Sequence, residues 1–135
     1  MNTLSVDIGN GYSKIALSPI VLCDRFTDST VAYQGYGRGI PIDLITEINQ
    51  LATCGLTPDL TLWLDVDVEI GLGRVNLRGE HDRIENLDLE FHQRVRSGYR
   101  DLAAVNPRII QIDANQSVDI VSDRIKQILS SVYGD

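Results

Sequence analysis

The run Leu60-Thr61-Leu62-Trp63-Leu64-Asp65-Val66 is apolar at nearly every position, so neither of its faces suits water. A strand of this kind must be covered on both sides, which predicts a central place in a parallel sheet with helices packed over it. Ile20-Val21-Leu22-Cys23 likewise reads as a fully buried strand, and RIIQIDA at 108–114 as a further strand. Leu44, Ile45, Ile48, Leu51 and Ala52 recur at helical spacing up to Gly55, a fitting helix stop. Phe91, Val95, Tyr99, Leu102 and Ala103 mark one face of a longer helix that Pro107 breaks. Val118, Val121, Ile125, Ile128 and Leu129 share the face of a last helix that Ser117 can cap. Strands alternating with helices predict an α/β fold: a parallel sheet with flanking helices.

The head of the chain reads differently. Leu4 to Ile8 and Tyr12 to Leu17 form two short apolar stretches around Gly9-Asn10-Gly11, so residues 1–19 are expected to make an N-terminal hairpin punctuated by Pro19. After the Ile20 strand, Asp28 is placed as the N-cap of a short helix carrying Val31, Ala32 and Tyr33, and Pro41 suits the first turn of the next helix. Asp67 to Arg74 begins another helix, followed by the charged segment RVNLRGEHDRIE. At 135 residues a single core is expected, with 1–19 as an atypical head and 20–135 as the main domain.

Twelve lysines and arginines against nineteen acidic residues leave a net charge of -7, which opposes a broad electrostatic hold on nucleic acid. No apolar run approaches bilayer length, and no basic stretch leads into an apolar one at the start, so a cytoplasmic protein without membrane attachment is expected. Cys23 and Cys54 lack a CxxC partner, and His81 and His92 stand alone. No metal site is predicted, and the cysteines read as small buried apolar residues in a reducing compartment.

The residues able to carry chemistry begin at the end of the Ile20 strand. Arg25 offers a planar fork that grips a phosphate bidentately, and Asp24 beside it either steadies Arg25 or meets a magnesium ion through water. The same two residues also suit a structural pair capping a strand. Arg74, Arg78 and Arg83 spread cations along a segment that reads either as a solvated charged turn or as a loop closing on developing negative charge. Tyr99 fits a core-facing aromatic with its hydroxyl at a wet edge, and Asp113-Ala114-Asn115 fits a turn after a strand.

The run VLCDRFTDSTVAYQGYGRGI resembles the monophosphate-binding segment of bacterial thymidylate kinases, and RGEHDRIE resembles the lid of the class whose lid supplies catalytic arginines. The resemblance covers roughly Ile20 to Tyr133, the carboxyl-terminal portion of such a kinase, and implies a partial P-loop nucleoside monophosphate kinase fold with a lid at about 74–85. It implies ATP-dependent phosphorylation of dTMP to dTDP, with magnesium accompanying ATP and no tightly bound cofactor. Arg25 would bind the dTMP phosphate beside Asp24, with Thr30, Tyr33 and Gln34 lining the thymidine pocket and Tyr99 approaching it. Arg78 and Arg83 would be the catalytic lid residues, while Arg74 and Asn115 would face the ATP nucleotide. Asn76 stands where some members carry another arginine.

A loop of the form GxxxxGK[ST] is absent from these residues, and Gly9, Gly11 and Lys14 do not have its spacing. The chain alone is therefore expected to be weak or inactive as a kinase. The alternative is a truncated or fused non-catalytic module that associates with itself or with a partner supplying the missing half. Family resemblance also implies a homodimer, formed in part by the helix at Ile42 to Cys54.

Overall fold

The computed structural model describes residues 2–7, 20–77 and 89–134, with side chains described for 20–74 and 89–134. Its strands are β1 (Asn2–Asp7), β2 (Ile20–Asp24), β3 (Leu60–Asp65) and β4 (Ile109–Asp113). They form one parallel sheet in the order β2-β1-β3-β4. The uninterrupted apolar strand β3 is central, as its composition requires, whereas β2, expected to be fully buried, lies at the edge of the sheet with Leu22 47% exposed. Successive side chains of a strand point to opposite faces, and β3 divides accordingly. Leu60 and Leu62 pack with Ile112 and Ile128, with Leu64, Val121, Ile125 and Leu129 around them. Trp63 turns the other way and packs with Ala32, Phe91, Val95, Tyr99 and Ile109.

The helices cover these faces. α5 (Val118–Tyr133) lies on the Leu62 side, and α4 (Leu89–Val105) lies on the Trp63 side beside the π-helix Val31–Gly37. The π-helix continues α1 (Thr27–Thr30), and the Arg38 N–H reaches the Tyr33 carbonyl at 3.1 Å, the wider-than-α spacing. Glycine permits its tight seat against α4. A Cβ on Gly37 would stand 2.7 Å from the Phe91 ring and one on Gly98 would stand 2.6 Å from Tyr36, so backbone and ring meet where no side chain fits.

Several expectations need correction. The first arm of the anticipated hairpin is β1, and both its edges are taken by parallel neighbours: Leu4 pairs in register with Leu22 on one side and Leu60 on the other. That leaves no edge for an antiparallel partner along this strand. The second arm, 12–17, lies outside the described residues.

Asp28 does not cap α1. Phe26 holds the N-cap position without a side-chain bond, and Asp28 is buried. The apolar stripe of α2 (Ile42–Thr53) turns outward, with Ile45 buried while Leu44, Ile48 and Leu51 are exposed. This helix ends at Thr53, two residues before the glycine, because Cys54 already adopts the left-handed conformation at φ 53°. The cysteines, expected to be buried, are not: Cys54 is exposed and Cys23 half-buried, and neither joins a disulfide. Ser117 does occupy the N-cap position of α5 but makes no side-chain capping bond, and Val118 after it is exposed.

Candidate functional site

In open parallel sheets, ligands sit beyond the carboxyl ends of the strands, where the strand order reverses. The chain runs from β1 outward to β2 and then back across β1 to β3, so the reversal lies at β1. Asp24 closes β2 at that end, and the next residue, Arg25, turns the chain sharply with φ 60°. A non-glycine residue in the left-handed region is uncommon and costs about 1 to 3 kcal/mol, a strain that clusters at ligand-binding positions. The turn is held by the Cys23 thiol, which donates to the Arg25 carbonyl at 3.1 Å. Burial, and then the neighbouring Asp24 carboxylate, raise the Cys23 pKa and keep that proton in place.

A concavity of about 410 Å³ opens beside this turn, and Arg25, Thr30, Tyr33 and Gln34 all line it. Its far wall is α2, which supplies Asn49 and Thr53. Asn49 also ties the two walls together, its Nδ2 donating to the Thr27 carbonyl at 3.2 Å. The Arg25 guanidinium lies 4.8 Å from the centre of the Tyr33 ring, a cation–π distance, and its Nη2 is 3.5 Å from the Tyr33 hydroxyl. Tyr33 in turn meets Phe91 edge-on at 6.1 Å. The site thus combines a positioned cation, an aromatic face, a hydroxyl and an amide: groups able to bind a phosphate at one end and a hydrogen-bonding base at the other.

Tyr99 is not brought to this concavity. Its ring is 4% exposed and stacks on Trp63 at 5.6 Å, and its hydroxyl has no hydrogen-bond partner among the described residues.

Arg74 and Asn115 do meet. From α3 (Val68–Leu77), Arg74 donates to the Ala114 carbonyl at 2.8 Å and the Asn115 carbonyl at 3.0 Å, while Asn115 Oδ1 accepts the Asp67 N–H at 2.9 Å. Asp113 steadies the same loop. The Gln116 amide and then the Asn115 N–H hold its carboxyl below the usual range. Arg78 and Arg83 lie outside the described residues.

Two charged clusters escaped the sequence reading. Arg96 of α4 donates to Asp65 at 2.6 Å and 3.2 Å and to Asp67 at 2.6 Å, and the Gln111 amide adds a bond of 2.6 Å to Asp65. The hydrogen bond to Asp65, foremost among several causes, raises the Arg96 pKa above its ordinary value. This cluster borders a second concavity of about 470 Å³ between α3 and α4. The other cluster joins Asp28, Thr61 and Arg108. Sequence spacing carries no signal for either, since each joins residues far apart in the chain.

The described residues hold no group of three or more His, Cys, Asp or Glu able to cage a metal ion. Asp24 alone suits at most an outer contact to a cation arriving on a phosphorylated substrate. No helix among them is long and apolar enough to cross a membrane.

The family model for thymidylate kinase matches residues 10–125. A thymidylate kinase of Trichodesmium erythraeum is 56% identical over 110 residues, covering 82% of this chain and 49% of that protein. One from a Cyanothece species is 57% identical over 116 residues, covering 82% and 50%, and one from a Nostoc species is 52% identical over 121 residues, covering 87% and 56%. The chain spans about half the length of the curated relatives it matches.

Proposed function

This chain belongs to the thymidylate kinase family, and we propose that it carries the dTMP-recognition part of an enzyme that phosphorylates dTMP to dTDP with ATP. The observation that supports this reading is the convergence of Arg25, Thr30, Tyr33 and Gln34 on one concavity at the carboxyl end of the sheet. Arg25 grips the monophosphate through two parallel N–H donors, and Gln34 pairs with the edge of the base. In the reaction, a dTMP phosphate oxygen attacks the γ-phosphorus of ATP, and the bond to the β,γ-bridging oxygen breaks as ADP leaves. Magnesium enters as part of the ATP substrate.

Positioning and charge stabilisation supply most of the acceleration in such transfers, and a backbone cradle for the ATP phosphates is a large share of both. These 135 residues contain no GxxxxGK[ST] sequence to build it. By itself the chain therefore binds dTMP and transfers phosphate poorly. Calorimetric titration with dTMP, thymidine and AMP, followed by a coupled ADP-release assay, tests both halves. Saturable dTMP binding with little turnover is expected. No preference for dTMP over AMP would overturn the site, and turnover in the ordinary kinase range of about 1 to 100 per second would overturn the second half.

The lid reading gives a conditional prediction, since α3 leads into the segment that holds Arg78 and Arg83. In a preparation where a P-loop supplied in trans restores turnover, replacing both by alanine should lower kcat by about tenfold or more, with dTMP affinity little changed. Lid cations tighten around charge that develops only in the transition state. A loss of apparent dTMP affinity at constant kcat would make them binding residues instead. A second reading, a self-associating module, is favoured by the exposed apolar stripe of α2.

A further inference from the structure

Asp28 stands in the middle of the ligand-lining segment, yet it points away from the concavity. Its carboxylate is buried, 6% exposed, and both oxygens are used inward. Arg108 Nη2 donates to Oδ1 at 2.6 Å, Arg108 Nη1 to Oδ2 at 2.7 Å, and the Thr61 hydroxyl to Oδ2 at 2.8 Å. Arg108 Nη1 also reaches the Thr61 oxygen at 3.0 Å, closing the triangle. Thr61 belongs to β3 and Arg108 directly precedes β4, so the carboxylate fastens α1 to two strands of the sheet. The Arg108 pKa is raised, first by the hydrogen bond to Asp28, and the guanidinium stays charged.

α1 is four residues long and has no side-chain bond at its N-cap, and a helix this short does not hold its place unaided. Its continuation into the π-helix fixes one end and the Asn49 bond to the Thr27 carbonyl reaches it from α2, while Asp28 supplies its side-chain tie to the sheet. Its immediate neighbours are the ligand groups: Arg25 two residues ahead of it, Thr30 at its end, and Tyr33 and Gln34 on the π-helix that continues it. A buried ion pair is a poor source of net stability, because desolvation offsets most of the attraction. A fixed, fully hydrogen-bonded pair does specify geometry.

We propose that the Asp28, Arg108 and Thr61 cluster is a positioning device for the monophosphate site, pegging α1 to the sheet so that Arg25 and Thr30 face the ligand. The proposal rests on the reading of that concavity as the dTMP site. Asp28 and Arg108 touch no ligand themselves; they act through Arg25.

The test is a double-mutant cycle on dTMP binding with a second readout that needs no ligand. Asp28→Asn should weaken dTMP about tenfold, and Arg25→Ala should then cost much less in the Asp28→Asn background than in the parent, because a misplaced guanidinium has little left to lose. Asp28→Asn with Arg108→Gln leaves no unpaired buried charge, and it should show the same loss at a near-parental melting temperature. In a Cys54→Ser background, Cys23 should react with a maleimide several times faster once Asp28 is replaced, because its thiol is tied to the Arg25 carbonyl. Additive losses in the cycle, or unchanged Cys23 labelling, would overturn the peg. A parent that fails to bind dTMP while Cys23 labelling still accelerates would overturn the ligand reading and leave the peg supported.

Discussion

Replacing Arg25 by alanine is expected to weaken dTMP binding by roughly tenfold to a hundredfold. A charge-assisted hydrogen bond contributes about 1.5 to 3 kcal/mol net, and a bidentate arginine–phosphate contact lies at the upper end of that range. The stability effect has a different origin. At φ 60° the residue is strained, so Arg25→Ala keeps the strain while Arg25→Gly relieves it. Arg25→Gly should therefore lose dTMP affinity as Arg25→Ala does, yet melt higher than the alanine variant. Arg25→Lys retains the charge without the planar fork and should fall between parent and alanine. Gln34→Ala should weaken thymidine and dTMP alike if, as proposed, that side chain meets the base and not the phosphate. Calorimetric titration decides the matter: equal dTMP affinity in parent and Arg25→Ala would remove Arg25 from the site.

The parallel sheet was legible in the sequence because a strand buried on both faces leaves an unbroken apolar run. Leu60 to Asp65 falls where that logic places it, while Ile20 to Asp24 and Ile109 to Asp113 form strands that lie at the two edges. Arg25, Thr30, Tyr33 and Gln34 were legible as a group because they sit within one short segment, so a local turn suffices to bring them together. The Asp28 and Asp65 clusters were not. Aspartate near a helix start usually caps it, but Arg108, 80 residues away in sequence, offers Asp28 a stronger partner. The head misled for a related reason. Asn-Gly is a strong local hairpin signal, whereas the register of Leu4 with both Leu22 and Leu60 is set by tertiary pairing. Helical periodicity identified α2, but periodicity alone does not say whether an apolar stripe meets the chain's own core or another surface.

That distinction gives the other large effect: the chain is expected to self-associate through α2, and substituting Ile48 and Leu51 together by glutamate is expected to make it a monomer. The inner side of α2 is already occupied, with Ile45 buried and Asn49 bonded to the Thr27 carbonyl. Leu44, Ile48 and Leu51 form a stripe on its other side at 47%, 51% and 82% exposure, and Leu56, just beyond the helix, is 50% exposed. Single exposed leucines are ordinary, but a contiguous stripe marks an association surface. Its helical, self-complementary form suits a second copy of the same helix across a two-fold axis. Central apolar anchors of such contacts contribute about 2 kcal/mol or more each, so losing two and burying two charges should weaken association at least about a hundredfold. The monomer itself should tolerate the change, since glutamate favours helix and surface substitutions usually stay within about 0.5 kcal/mol. The wall that α2 presents to the concavity, Asn49 and Thr53, is untouched, so dTMP affinity should persist in the monomeric variant. Light scattering over a concentration series checks the first half and titration the second. A parent that is already monomeric at about 100 μM would leave the stripe without a second copy to cover it, at a concentration where an interface built on several 2 kcal/mol anchors should be filled.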